Sequence, residues 1–161
     1  MRKIIFLDID GVLNSMAYFK NVKEVDGFNE ISEFHLQKLS EIYHAAGAEI
    51  VLCSTWRTLQ VDNEMYQYLV NSLDKYDMRI SDKTPVIGMN RPLEIFSWLE
   101  DQSEEVQFVI LDDDYPTDEY EEYGLEDHLV RTVFYCFEES EGGLQDTHVE
   151  KAIEILKSSC L

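Results

Sequence analysis

The sequence predicts a three-layer α/β domain: a mainly parallel, five-stranded sheet with helices on both faces. Short apolar runs recur at residues 4–7, 48–53 and 106–111, the mark of strands buried on both sides. The stretches between them carry apolar residues at helical spacing, and strands alternating with helices argue for parallel pairing. The chain has 161 residues, 45% of them hydrophobic and 12% aromatic. That is enough for one domain hiding about two thirds of its unfolded surface. No linker or internal repeat divides it, so residues 1–161 are expected to form a single domain.

The first run, 4–7, breaks abruptly into Asp8, Ile9, Asp10 and Gly11, a strand end followed by a turn. Residues 15–29 mix aromatic and polar side chains, and Asp26–Gly27 signals a turn, so a loop or short hairpin is expected there. Ile31, Phe34, Leu36, Leu39, Ile42 and Tyr43 predict a helix, capped by Asn29 or Ser32 and stopped at Gly47. The strand over 48–53 ends in Ser54, Thr55, Trp56 and Arg57. Met65, Tyr66, Leu69, Val70 and Leu73 share one face of a helix over 63–76. A short third strand is expected over 84–87, closed by Gly88. Arg91 and Pro92 then open a helix, proline suiting its first turn.

The fourth strand, 106–111, runs straight into Asp112, Asp113 and Asp114. Residues 115–127 read as an acidic, tyrosine-rich surface loop with one helical turn. A fifth strand follows over 129–134 and a turn-rich loop over 138–143. The last helix, over 149–156, is expected to be capped by Asp146 or Thr147.

Charge restricts the possible partners. With 33 acidic and 13 basic residues, the formal net charge is −20. Such a surface repels phosphate backbones and attracts divalent cations, so tight non-specific nucleic-acid binding is not expected. No run is long enough to span a bilayer, and no membrane partner is expected. Three scattered cysteines without Cys-x-x-Cys spacing, and no signal-like leader, predict a reducing, cytoplasmic setting. Cys53 reads as core. Neither Gly-x-Gly-x-x-Gly nor a P-loop occurs. Asp112, Asp114 and Asp118 mimic a calcium loop, but its central glycine and final glutamate are missing.

Three predicted strands end in polar clusters: Asp8 with Asp10, Ser54 with Thr55 and Arg57, and Asp112 with Asp113. A parallel sheet puts every carboxyl-terminal strand end on one edge, where α/β folds keep their ligands. Asp8 and Asp112 supply hard oxygen ligands suited to Mg²⁺, with Asp113 ligating or orienting. Ser54 or Thr55 can donate to a phosphoryl oxygen, and Arg57 and Arg91 match phosphate geometry. These are the parts needed for phosphoryl transfer.

The motifs Asp8-Ile-Asp10-Gly11, Ser54-Thr55-Trp56-Arg57, Arg91-Pro-Leu-Glu94 and Leu111-Asp112-Asp113-Asp114 resemble those of the haloacid-dehalogenase-like (HAD) hydrolases. More narrowly, they resemble the small branch found in multidomain RNA-repair proteins. The resemblance implies a Rossmann-like fold without a large cap domain and a Mg²⁺-dependent phosphatase. Asp8 falls on the family's nucleophile. Asp10 falls on its acid/base residue, which also lends a backbone carbonyl to the metal. Ser54, or Thr55, falls on the hydroxyl donor of the second motif, and Arg57 on an arginine of polynucleotide-end phosphatases. Arg91 stands where the third motif more often has lysine, with Lys83 and Arg79 as competitors for that place. Asp112 and Asp113 match the acidic fourth motif. The implied substrates are phosphorylated small molecules, nucleotides or nucleic-acid ends, attacked through an aspartyl-phosphate. The competing reading is a non-catalytic metal- or phosphate-binding module, or a protein-interaction module, on the same scaffold.

Trp56 reads as packing or as a base-stacking ring, and Trp98 as core. His35, His44, His128 and His148 are dispersed and are not expected to be ligands. The acidic residues from Asp118 to Glu122 form a solvated face or a contact for a basic partner.

Overall fold

The computed structural model describes residues 1–23 and 27–158, so the turn expected at Asp26 lies outside the described residues. Five strands, β1 (Arg2–Leu7), β2 (Glu49–Leu52), β3 (Ile80–Lys83), β4 (Val106–Asp112) and β5 (Leu129–Arg131), form one sheet in the order β3-β2-β1-β4-β5. Every neighbouring pair is parallel.

Alternation along the strands builds two cores. On β1, Ile5 and Leu7 join Leu36, Leu39 and Ile42 of α2 (Glu33–Ala46), Leu69 of α3 (Glu64–Asp74) and Val149 of α6 (Asp146–Lys157). Ile4 and Phe6 join Ile95 and Trp98 of α4 (Arg91–Glu100) and Tyr120 of α5 (Thr117–Glu121). No large cap domain is inserted. No helix among the described residues is long and apolar enough to cross a membrane.

Several elements differ from expectation. Residues 16–21 form a short helix, α1 (Met16–Asn21), because the Ser15 hydroxyl accepts from the Tyr18 amide and starts a turn. The third strand lies four residues earlier than its sequence signal. Pro85 has no N–H to give a ladder, and the true β3 is an edge strand with exposed Ser81 and Asp82, which hides its pattern. β5 stops at Arg131, and the chain from 132 onward leaves the sheet toward α1, where Met16 N–H donates to the Phe134 carbonyl. The 115–127 segment is not wholly surface: Tyr120 is 0% exposed. α6 starts earlier than expected, at a capping box of Gln145 with His148 rather than at Asp146 or Thr147. Gly47 ends α2 at φ 62°, as its sequence position predicts.

Candidate active site

The two buried aspartates are placed by strand parity and register. β1 and β4 are adjacent, with Phe6 opposite Ile110 and Leu7 opposite Leu111, and Asp8 N–H donates to the Leu111 carbonyl at 3.1 Å. Ile4 and Phe6 face α4, and Asp8 continues that series at the strand end. Phe108 and Ile110 face the same way, and Asp112 continues theirs. Both carboxylates therefore meet the amino-terminal turn of α4. There Arg91 Nη1 donates to Asp8 Oδ2 at 2.8 Å and to Asp112 Oδ1 at 2.5 Å. The Arg91 ring-stacking face lies over Tyr115, 4.9 Å from its centroid, and its Nε–H has no partner.

Asp112 is fully committed. Oδ1 accepts from Arg91 and the Asp114 amide, and Oδ2 accepts from the Tyr120 hydroxyl at 2.6 Å and the Tyr115 amide. Four donors fill the four lone-pair sites of a carboxylate. Asp113 projects the other way and lies against the Gly11 backbone. A Cβ at Gly11 would fall 2.1 Å from the Asp113 carboxyl carbon, and Gly11 sits at φ +82°. Gly11→Ala is thus expected to push Asp113 aside and to cost at least about 1–2 kcal/mol from the left-handed backbone alone, read as a lower urea midpoint.

One oxygen from each of Asp8, Asp112 and Asp113 lies within 4.8 Å of the others. Burial pushes the Asp8 carboxyl well above its ordinary range. Arg91 opposes that shift, and the charges of Asp112 and Asp113 reinforce it. Burial, then the charge of Asp112, pushes Asp113 up to about 6. A cluster with more negative charge than Arg91 neutralises, built wholly from hard oxygen donors, fits a small divalent cation such as Mg²⁺.

The sign of the pH dependence follows. Asp113 titrates at 3.8 when unperturbed and at about 6 in the fold, so the folded state binds the extra proton between those values. Metal-free stability should therefore fall as pH rises through this window, and raised Asp8 extends the fall upward. Glu33 and Glu49, lowered by hydrogen bonds from Tyr76 and Arg2, act with the opposite sign at lower pH. Melting temperatures of the metal-free protein across pH 4–7 are expected to drop less in Asp113→Asn than in the wild type.

Asp10 stands beyond the strand end, exposed, and is held from both sides. Asn14 Nδ2 donates to its Oδ1 at 3.0 Å and Trp56 Nε1 to its Oδ2 at 3.2 Å. Asn14 also accepts from the Gly11 amide at 2.8 Å, tying Asp10 to the turn that makes room for Asp113. Trp56 is buried, and its indole N–H points at a carboxylate, a role that neither packing nor base stacking anticipates. Ser54 caps the turn over residues 55–58 by accepting from the Trp56 amide, and it is buried. Thr55, one residue on, reaches the open space. Asp8, Asp10, Thr55, Arg91, Asp113, Asp114, Phe134 and Tyr135 line a cavity of about 300 Å³.

Two expected substrate contacts lie elsewhere. Arg57 turns into the protein: it pairs with Glu94 at 2.6 Å and donates to the carbonyls of Cys53, Ser54, Thr84 and Pro85. The free carbonyls at the β2 end and the Glu94 charge draw the guanidinium inward, so it does not line the cavity. The Lys83 ammonium sits 4.3 Å from the Tyr66 ring centre, against α3 on the opposite sheet face from Arg91. Arg79 lines a separate apolar hollow with Tyr66, Leu73 and Ile80. Among these cations, Arg91 is the one that meets Asp8 and Asp112.

Sequence reasoning missed Asn14, Glu94, Tyr120, Phe134 and Tyr135. Glu94 stands inside one of the motifs and Asn14 three residues past another, so their spacing was visible. Tyr120 and Tyr135 follow strand ends in segments with no periodic signal, and Phe134 closes the expected fifth strand, past the point where β5 ends.

No curated protein and no solved structure was found to match the chain. Residues 4–149 match the family described as the HAD domain in Swiss Army Knife RNA repair proteins. That span takes in most of β1, the carboxylate cluster and α4, so the motifs and the geometry agree: the chain belongs to the HAD-like hydrolase superfamily, in the branch of the HAD domains of Swiss Army Knife RNA repair proteins.

Proposed function

We propose that the protein is a Mg²⁺-dependent phosphomonoester hydrolase acting through an aspartyl-phosphate on Asp8. The observation that carries this reading is the convergence of Asp8, Asp112 and Asp113 on one point beside Arg91, at the floor of a cavity with Asp10 and Thr55 on its wall. Asp8 and Asp113 would hold Mg²⁺, together with the Asp10 backbone carbonyl by family resemblance, and Asp112 would join them on giving up one of its four donors. The bound ion supplies positive charge beside the phosphoryl oxygens. Asp113, which lines the cavity, would be the direct ligand, while Asp112 chiefly holds Arg91.

The chain's own groups divide the chemistry. Asp8 Oδ attacks phosphorus and the bond to the leaving oxygen breaks, while Asp10 gives that oxygen its proton. Asp10 then takes a proton from water as the water oxygen attacks phosphorus, which releases phosphate and restores the Asp8 carboxylate. Asn14 and Trp56 keep Asp10 aimed through both steps. Arg91 holds Asp8 in place and offers its remaining donors to the phosphoryl group. Thr55, on the cavity wall, takes the hydroxyl-donor role, with Ser54 fixing the turn beneath it. Arg57 serves as a brace and Lys83 is left outside. Phosphorylated small molecules, nucleotides and nucleic-acid ends are the substrate classes that suit the open cavity. Cys53 and Cys136 are free thiols, which suits a reducing, cytoplasmic setting.

Release of phosphate from p-nitrophenyl phosphate, measured with Mg²⁺ and again with excess chelator, tests this reading. Turnover that requires the cation supports it. Cation binding without turnover of any phosphomonoester would favour the sensor module instead.

A further inference from the structure

Phe134 and Tyr135 form the wall of the cavity facing the carboxylates, and the hollow does not end with them. Beside it lies an annex of about 410 Å³ lined by Asp113, Asp114, Arg131, Thr132, Val133, Phe134 and Tyr135. Four of these residues also line the inner cavity, so the two hollows adjoin. Tyr135 is 81% exposed and meets Phe134 edge-on, with ring centres 5.0 Å apart. An exposed ring at the mouth of a polar cavity, backed by a half-buried one, is not core packing. The two rings are not loosely held either. Phe134 is tied through its carbonyl to the Met16 amide, and Val133 through its carbonyl to the Gly143 amide. Thr132, on the same wall, keeps a buried hydroxyl without a partner.

We propose that Tyr135, backed by Phe134, is a stacking shelf for the base of a nucleoside monophosphate whose phosphate lies at Asp8; this rests on the phosphatase reading above. A planar ring is what an aromatic face selects, and its affinity is sequence-tolerant. The charge of the wall limits the substrate to one phosphate. Asp10, Asp113 and Asp114 line the same space, and the chain carries a net charge of −20. Further phosphates of a strand would lie against carboxylates, with Arg91 already engaged and Arg131 donating to the Tyr115 carbonyl. Combined, the two hollows give the room a nucleotide needs.

The test compares kcat/KM for 5′-AMP and ribose 5-phosphate with Mg²⁺. Both lose phosphate from a primary ribose 5-oxygen, so the ratio reads out the base. The wild type is expected to prefer 5′-AMP by about tenfold, with the ratio falling toward unity in Tyr135→Ala and held in Tyr135→Phe. A wild-type ratio near unity, or a Tyr135→Ala ratio that does not move, overturns the shelf. Faster turnover of a 5′-phosphorylated oligonucleotide than of 5′-AMP overturns the single-nucleotide assignment. If neither monoester is hydrolysed, the phosphatase reading fails separately. The shelf is then decided by calorimetric affinities of 5′-AMP and ribose 5-phosphate for wild type and Tyr135→Ala, a base-dependent difference lost in the variant supporting it and equal affinities refuting it.

Discussion

Asp8→Asn is expected to lower turnover of a phosphate ester by about 10³-fold or more, the scale on which loss of a covalent nucleophile is felt. The amide keeps the size of the carboxyl but cannot attack phosphorus. The fold should survive. Burial disfavours the Asp8 charge, and Asn removes that cost while losing a charged partner for Arg91. Arg91 keeps Asp112 as its anchor. Initial rates with Mg²⁺, taken beside a thermal melt, separate the two effects: activity should vanish from a protein that still unfolds cooperatively. Activity retained within a few-fold would remove Asp8 from the chemistry.

The largest effect on stability is expected away from the carboxylates. Glu94 and Arg57 form an ion pair whose side chains are 1% and 2% exposed. Glu94 also accepts from the Ile87 amide at 2.7 Å. Removing one member of a buried pair leaves the other charge without compensation, at a cost of about 3–5 kcal/mol. Glu94→Ala should therefore lower the denaturant midpoint markedly, by a large share of a small domain's stability margin. The loss should reach function as well. Arg57 grips the β2 end that presents Thr55, and Glu94 lies one turn from Arg91 on α4, so the pair locks together two walls of the cavity. Glu94→Gln, which keeps an acceptor for Arg57, should fold better than Glu94→Ala; equal stability of the two, both lacking the charge, would remove the hydrogen-bond acceptor from the account.

The parts legible in the sequence were those carried by periodicity. Apolar runs broken by aspartate marked β1 and β4, and the parallel-sheet rule brought Asp8 to Asp112 across a hundred residues. The helices α2, α3 and α4 announced themselves through spacing, caps and Pro92. What stayed hidden had no periodic signal. β3 is an edge strand with polar residues, so Thr84 and Val86 beside Pro85 drew attention to the wrong segment. The direction of a long cation was equally invisible: Arg57 and Arg91 both suit phosphate, and only packing shows that Glu94 and four carbonyls claim one of them. Trp56 illustrates the same limit, since its ring looked like packing while its N–H holds Asp10.

The most direct measurement is the site of phosphorylation during turnover. The protein is mixed with substrate and Mg²⁺, quenched in acid within a turnover, and its peptides are weighed. A phosphoryl adduct on the peptide carrying Asp8, absent without Mg²⁺ and absent from Asp8→Asn, is the predicted result. Steady hydrolysis with no adduct on Asp8, or an adduct on another residue, would contradict the account.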